Sequence, residues 1–244
     1  MAIHILIPTL QGVSKVQSIV QEDSDVPSVV CLNGSSQSLP ISNAYYDFVK
    51  KGQGLIAKDF GHEAWRVDLS EPVEMGKSWQ LGLYLAHYFH SKGQLGVGDH
   101  KSGDTVIWAT GEVKVIRDVE PVDGVDRKLA HSSVLFNDYQ AQQISTLVVM
   151  CGANHAVVDL PNGTEGVILD SVADLSPLLK AISKYIYPGD HKGSQSDDNV
   201  NSSKQSKVAS SERDLVRIEN RNRGMAYFGV IALLACLFVI LKNV

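Results

Sequence analysis

Cysteine is scarce in this chain. Cys31, Cys151 and Cys236 are the only three in 244 residues, widely separated and without C-x-x-C spacing. An odd, dispersed set argues against a disulfide framework and against a zinc site, and points to a reducing compartment. Positive charge is also in short supply. Against 27 Asp and Glu stand 22 Lys and Arg, for a net charge of -5. No basic face is forced by that balance, so nucleic-acid binding is not expected. The opening MAIHILIPTLQG lacks a basic n-region, and a proline cuts its apolar run short, so no secretory signal is expected. Internal repeats are absent. What remains is ordinary, 44% hydrophobic and 20% charged, enough for one well-cored domain plus appendages.

One long run lacks charge altogether. GMAYFGVIALLACLFVIL, residues 224–241, would make roughly 27 Å of helix, about the thickness of a hydrocarbon core. It is expected to be a single C-terminal transmembrane helix. Residues 213–223 before it form a basic juxtamembrane segment with Arg217, Arg221 and Arg223. By the positive-inside rule this places the N-terminal domain in the cytoplasm, as a tail-anchored, single-pass membrane protein. Residues 188–212, rich in Ser, Asn, Asp and Lys, offer almost nothing apolar to offset ordering entropy and are expected to be a flexible linker.

The folded unit is therefore expected over residues 1–187. IHILIP, PSVVCL, AWRVDLS, ISTLVVM and GVILD read as strands, and DTVIWATGEVKVIRDVEPV as two strand-like runs. Helices are expected in LPISNAYYDFVKKGQG with Ser42 as N-cap, in SWQLGLYLAHYFHSKG, from about Asp126, and in SVADLSPLLKAISKYIY capped by Ser171. SWQLGLYLAHYFHSKG is apolar around most of its circumference and must be buried. Strands and helices mix without a strict βαβ rhythm, so an α+β fold is expected.

The stretch PVEMGKSWQLGLYLAHYF raises a question of chemistry. Gly76-Lys77-Ser78 looks like the end of a phosphate-binding loop, but the first glycine of G-x-x-x-x-G-K-[ST] falls on Glu71. A carboxylate there opposes phosphate, so no nucleotide site is expected. The other reading makes Ser78 a nucleophile at a helix start, where free backbone N–H groups and the helix dipole stabilise an oxyanion. Such a serine needs a base; without one it is a plain cap.

Residues 109–132, ATGEVKVIRDVEPVDGVDRKLAHS, supply the candidate. Thr110-Gly111-Glu112-Val113, then Val119-Glu120-Pro121-Val122-Asp123-Gly124, then Asp126-Arg127-Lys128-Leu129 resemble the proteolytic domain of the Lon protease family. There a Thr-Gly-Glu strand leads through a Val-x-Pro-Val/Ile-Gly-Gly turn into a Lys-Glu-Lys-Leu helix. Lys128 falls on that family's catalytic lysine, and Gly76-Lys77-Ser78 fits its Gly-Pro-Ser, with Ser78 on the nucleophile. The resemblance covers about residues 1 to 185. It implies a Lon-type proteolytic fold and an ATP-independent serine endopeptidase, since no ATPase module precedes these motifs. In it Ser78 attacks, Lys128 acts as the base and Thr110 orients Lys128. It also implies a polypeptide substrate or partner protein, assembly as a homo-oligomer, and no cofactor.

The chain departs from that pattern in places. Trp79-Gln80 replaces the family's small Ala-Gly, which would crowd the pocket and could put Trp79 in its lining. Lys77 replaces proline and adds a cation that could depress the Lys128 pKa further. Asp123 replaces one glycine, and KGQLGVGDHKSGD lengthens the Ser-to-Thr interval. These departures keep a rival reading open, a catalytically silent Lon-like fold that serves as a membrane-tethered interaction or regulatory module. His87 and His90 have H-x-x-H spacing but no evident third ligand, so a buried polar stripe is expected rather than a metal site.

Overall fold

The computed structural model describes residues 1–50 and 52–186. Their centre is a mixed seven-stranded sheet in the order β3-β4-β2-β1-β5-β8-β9. The strands are β1 (Ile3–Pro8), β2 (Val13–Gln21), β3 (Val29–Leu32), β4 (Trp65–Leu69), β5 (Thr105–Ala109), β8 (Ser145–Met150) and β9 (Thr164–Ile168). A separate two-stranded hairpin, β6 (Glu112–Val113) with β7 (Val119–Glu120), stands beside it. β1, β5, β8 and β9 run parallel in turn, with Ile5 opposite Ile107 and Ile107 opposite Leu147. β2 is antiparallel to β1 and β4. The α+β expectation matches this mixed sheet.

The apolar runs in the middle strands follow from burial on both faces. Ile3, Ile5, Ile7, Ile107, Leu147 and Val149 point into one core. Their alternates Leu6, Val106, Trp108, Val148 and Met150 point into a second. The first core is covered by α1 (Ser42–Val49), α3 (Gln80–Ser91) and α6 (Ser176–Ile186), with the short α2 (Leu55–Phe60) beside them. The second is covered by α4 (Val125–Ala141) through Val125, Leu129, Phe136 and Tyr139. A four-residue helix, α5 (Gly152–His155), follows β8.

α3 has no β-branched residue and is buried along most of its length, as its all-round apolarity requires. Each fully buried leucine, such as Leu83 or Leu85, contributes about 1.5–3 kcal/mol. Gly82 lets the helix sit close on the sheet: a Cβ there would lie 2.8 Å from Ile7 Cγ1.

Two caps were misassigned from sequence. Ser42 does not cap α1; its hydroxyl donates to Val30 O and accepts from Val30 N–H, tying the helix start to β3. Ser171 precedes α6, which begins at Ser176, and donates instead to Arg117 O. Ser42 is taken by a tertiary partner, whereas Ser171 also accepts Ala173 N–H in a local turn ahead of the helix. β2 and α2 were not foreseen.

The fold expectation also included a transmembrane helix, and that is corrected. Among the described residues no helix is long and apolar enough to cross a membrane. α3 has 12 residues, about 18 Å of helix against a core of about 30 Å. α4 is longer, with 17 residues, but carries Asp126, Arg127, Lys128 and Asp138. The linker (188–212), basic segment (213–223) and span (224–241) expected from sequence lie outside the described residues.

Candidate active site

Ser78 lies in the loop between β4 and α3, just before the helix begins at Gln80. That loop is fastened at several points. Ser70 N–H donates to Lys15 O and Glu71 N–H to Ser14 Oγ. Glu74 accepts from Leu10 N–H at 2.6 Å, joining the loop to the β1–β2 turn. Closer to the serine, Gly111 N–H donates to Ser78 O at 3.0 Å and Leu81 N–H donates to Gly111 O at 3.1 Å. The Thr110-Gly111 step after β5 therefore braces the loop from both sides. Gly111 is required for that approach, because a Cβ would sit 2.7 Å from Val119 Cγ1 and 3.3 Å from Leu81 Cδ2.

Lys128 enters from the first turn of α4. Gly124, at φ 69°, supplies the left-handed residue that opens the helix, and its carbonyl accepts Lys128 N–H at 3.0 Å. Behind the lysine, Ser132 Oγ donates to Lys128 O at 2.7 Å and accepts Trp108 Nε1–H at 2.9 Å, locking this turn to the sheet.

The two meet. Lys128 Nζ lies 2.8 Å from Ser78 Oγ, and Lys128 is only 3% exposed. As an ammonium the lysine donates to the hydroxyl; as a neutral amine it accepts the hydroxyl proton. Burial pushes the Lys128 pKa down from its usual 10.5, while Glu74 and Asp123 pull it back up. Both atoms open onto a cavity of about 340 Å³ whose lining includes Leu10, Glu74, Ser78, Glu112, Asp123 and Lys128. Among the described residues the N–H groups of Ser78 and Trp79 have no acceptor, whereas Gln80 N–H is taken by Lys77 O and Leu81 N–H by Gly111 O.

Thr110 is placed differently from its expected role. It is fully buried one residue before Gly111, and among the described residues its Oγ1 has no hydrogen-bond partner.

The departures in the serine loop turn out not to obstruct the cavity. Trp79 is 1% exposed and packs edge-on against Tyr45 and Phe48 in the core. Gln80 Oε1 accepts Val113 N–H, pinning the β6–β7 hairpin. Lys77 pairs with Glu112 at 2.8 Å, and Lys114 joins it at 2.6 Å. Lys114 and Lys77 together hold the Glu112 carboxyl below the usual carboxylate range. The charge of Lys77 is thus met by Glu112, and burial alone lowers the Lys128 pKa.

His87 and His90 do not form a site with each other. His87 Nε2 is 2.8 Å from Tyr45 Oη, its ring stacks on Phe60, and burial drives its pKa down to about 3. His90 packs on Trp65. Among the described residues no group of three or more His, Cys, Asp or Glu is arranged to hold a metal. Sequence reasoning gave no role to Glu74 or Leu10, which line the cavity from positions far apart in the chain and form no motif.

Compared with protein-family models and with curated proteins, the sequence matches none.

Proposed function

We propose that the chain is a Lon-like serine endopeptidase that cleaves polypeptides through a Ser78/Lys128 dyad without consuming ATP. The observation that carries this reading is the 2.8 Å approach of a buried lysine amine to a serine hydroxyl at the mouth of a cavity. Two readily ionised groups would make a simple surface contact; a desolvated lysine facing one hydroxyl is what base catalysis requires.

In the reaction, neutral Lys128 takes the Ser78 proton as Oγ attacks the scissile carbonyl. The oxyanion is held by backbone N–H groups, for which Ser78 and Trp79 are the available donors. Lys128, now an ammonium, gives its proton to the departing amine, and water releases the acyl-enzyme with the lysine again as base. Every step uses this chain's residues and water, so no nucleotide is consumed. To Thr110, whose buried hydroxyl has no partner among the described residues, falls the role of orienting Lys128 during the reaction that the family resemblance implies.

The silent-scaffold reading was kept open by Trp79 and Lys77. One lies in the core and the other is paired with Glu112. The full chain, as wild type, Ser78→Ala and Lys128→Ala, should be melted with and without a panel of peptide boronic acids. Boron mimics the tetrahedral intermediate. At 100 times the dissociation constant it should add about 2.7 kcal/mol of stability, or about 5–11 °C, and only when Ser78 is present. No shift in folded wild type across the panel would favour the silent scaffold.

A further inference from the structure

Part of the wall of the cavity onto which Ser78 opens is built from the short stretch between β7 and α4. Pro121, Val122 and Asp123 all line it. Gly124 follows and starts the helix that carries Lys128. Something must hold this stretch, because its own backbone does little. Among the described residues, the hydrogen bonds of residues 121–123 are two, and both go to one side chain. Asn154 Oδ1 accepts Val122 N–H at 2.9 Å, and Asn154 Nδ2 donates to Val122 O at 2.8 Å.

Resting on the reading of Ser78 and Lys128 as a dyad, we infer that Asn154 is its positioning residue, clamping both backbone groups of Val122 so that Lys128 is delivered to Ser78.

Several features suit Asn154 to this. A carboxamide offers one donor and one acceptor in the arrangement of a peptide group, so it stands in for a neighbouring strand. Asn154 is 7% exposed, which keeps water from competing. Cys151 Sγ–H lies 3.4 Å from Asn154 Oδ1, a second donor that fixes which end of the amide is oxygen. The platform is itself anchored: Gly152 N–H donates to Asp170 Oδ1 at 2.7 Å, and Leu169 N–H to Met150 O at 2.9 Å. From Val122 the constraint passes along two residues to Gly124. A Cβ at Gly124 would lie 3.0 Å from Leu10 Cδ2, so that residue has little lateral room. Its carbonyl then holds Lys128 N–H. Releasing Val122 lets the wall drift and the first turn of α4 with it. A misplacement of about 1 Å can cost about 100-fold in rate.

The same release would admit water to Lys128. Its charged neighbours are Glu74 from the serine loop and Asp123 from the wall, with Lys77 and Glu112 completing the charged lining. All of these remain in Asn154→Ala, which adds no charge, so a change in its Lys128 titration reports hydration and position; Asn154→Asp adds a carboxylate of its own and is judged on labelling rate.

The test uses the full chain, with a small fluorophosphonate as a serine probe that demands no substrate recognition. Adduct formation is followed by intact mass across pH for wild type, Ser78→Ala, Asn154→Ala and Asn154→Asp; Lys128 is titrated in parallel by ¹³C NMR of labelled lysine. Asn154→Asp keeps the acceptor for Val122 N–H while losing the donor, and decides the matter if Asn154→Ala does not fold. The expected result is labelling about 10–100-fold slower in the variants, with both the pH midpoint and the Lys128 titration of Asn154→Ala moved to higher pH. A folded Asn154→Ala with wild-type rate and unchanged Lys128 titration, or a folded Asn154→Asp with wild-type rate, overturns the inference. If wild type forms no adduct that Ser78→Ala abolishes, the peptidase reading fails. The role of Asn154 is then decided by Lys128 alone: a raised pKa in Asn154→Ala supports the clamp, and an unchanged one sinks it.

Discussion

Replacing Lys128 by methionine keeps the length and most of the apolar volume of the side chain while deleting its ammonium. The consequences for activity and for stability have opposite signs, which makes the substitution informative. For activity, Ser78 loses the one side-chain partner its hydroxyl has among the described residues, the amine 2.8 Å away. General-base assistance of this kind is worth about 10²–10⁴-fold, or about 3–5 kcal/mol of barrier. Release of fluorescent peptides from an unstructured, dye-labelled protein should fall by that factor in the full-length variant.

For stability, the relevant fact is that the folded-state pKa of Lys128 lies below 10.5 because the site desolvates the charge. A base with a depressed folded pKa destabilises the native state. That cost is fully present below the folded pKa, and it fades as pH rises from there to the unfolded value. Every pKa unit of depression corresponds to about 1.36 kcal/mol. Lys128→Met removes the cost, so at pH 7 the variant should melt at or above the wild-type temperature. Its advantage should shrink as melting is repeated toward pH 10. Loss of activity together with a variant markedly less stable than wild type at pH 7, or an advantage that does not change with pH, would refute the claim that this lysine is strained by burial. Activity itself should rise with pH as Lys128 loses its proton, since only the neutral amine can act as base.

Other residues make separate tests. His87, with a pKa of about 3 when folded, must stay neutral, so stability should fall as pH drops below its unfolded value of about 6.5. From this residue alone the loss is about 2 kcal/mol by pH 5, read from urea unfolding at the two pH values. Gly111→Ala forces a methyl group against Val119 and Leu81; it should cost about 1–3 kcal/mol and lower activity by displacing the brace on Ser78. Thr110→Val removes a fully buried hydroxyl that has no partner among the described residues, so stability should hold or rise by about 1–3 kcal/mol. A simultaneous drop in turnover would show that the hydroxyl is used during the reaction, and unchanged turnover would remove Thr110 from the site.

Much of the candidate site could be read from the chain because its chemistry sits in short local patterns. Thr110, Gly111 and Lys128 lie within one strand–hairpin–helix passage, and Ser78 opens the most apolar helix. The central strands were equally plain, because burial on both faces makes β1, β5 and β8 continuous apolar runs. β2 was missed for the opposite reason. Ser14 is buried through bonds to the backbone of Glu71, and a bulge between Val16 and Ser18 breaks the alternation that would have marked the strand. The six-residue α2, set between Gly54 and Gly61, is too short to show a period.

The direction of Trp79 was the hardest feature to foresee, and the reason is geometric. Beside a small-residue motif its bulk suggests obstruction. Yet Ser78 and Trp79 are adjacent at a helix start, where successive side chains diverge by about 100°. One can therefore reach the cavity while the other enters the core against Tyr45 and Phe48. Both of those residues come from α1, far away in the sequence. A large residue next to a nucleophile thus says little about access until its packing partner is known. The partner here is an aromatic pair whose presence turns the tryptophan from an obstacle into an anchor for the serine loop. Phe48→Ala should accordingly loosen that loop through Trp79 and slow labelling of Ser78.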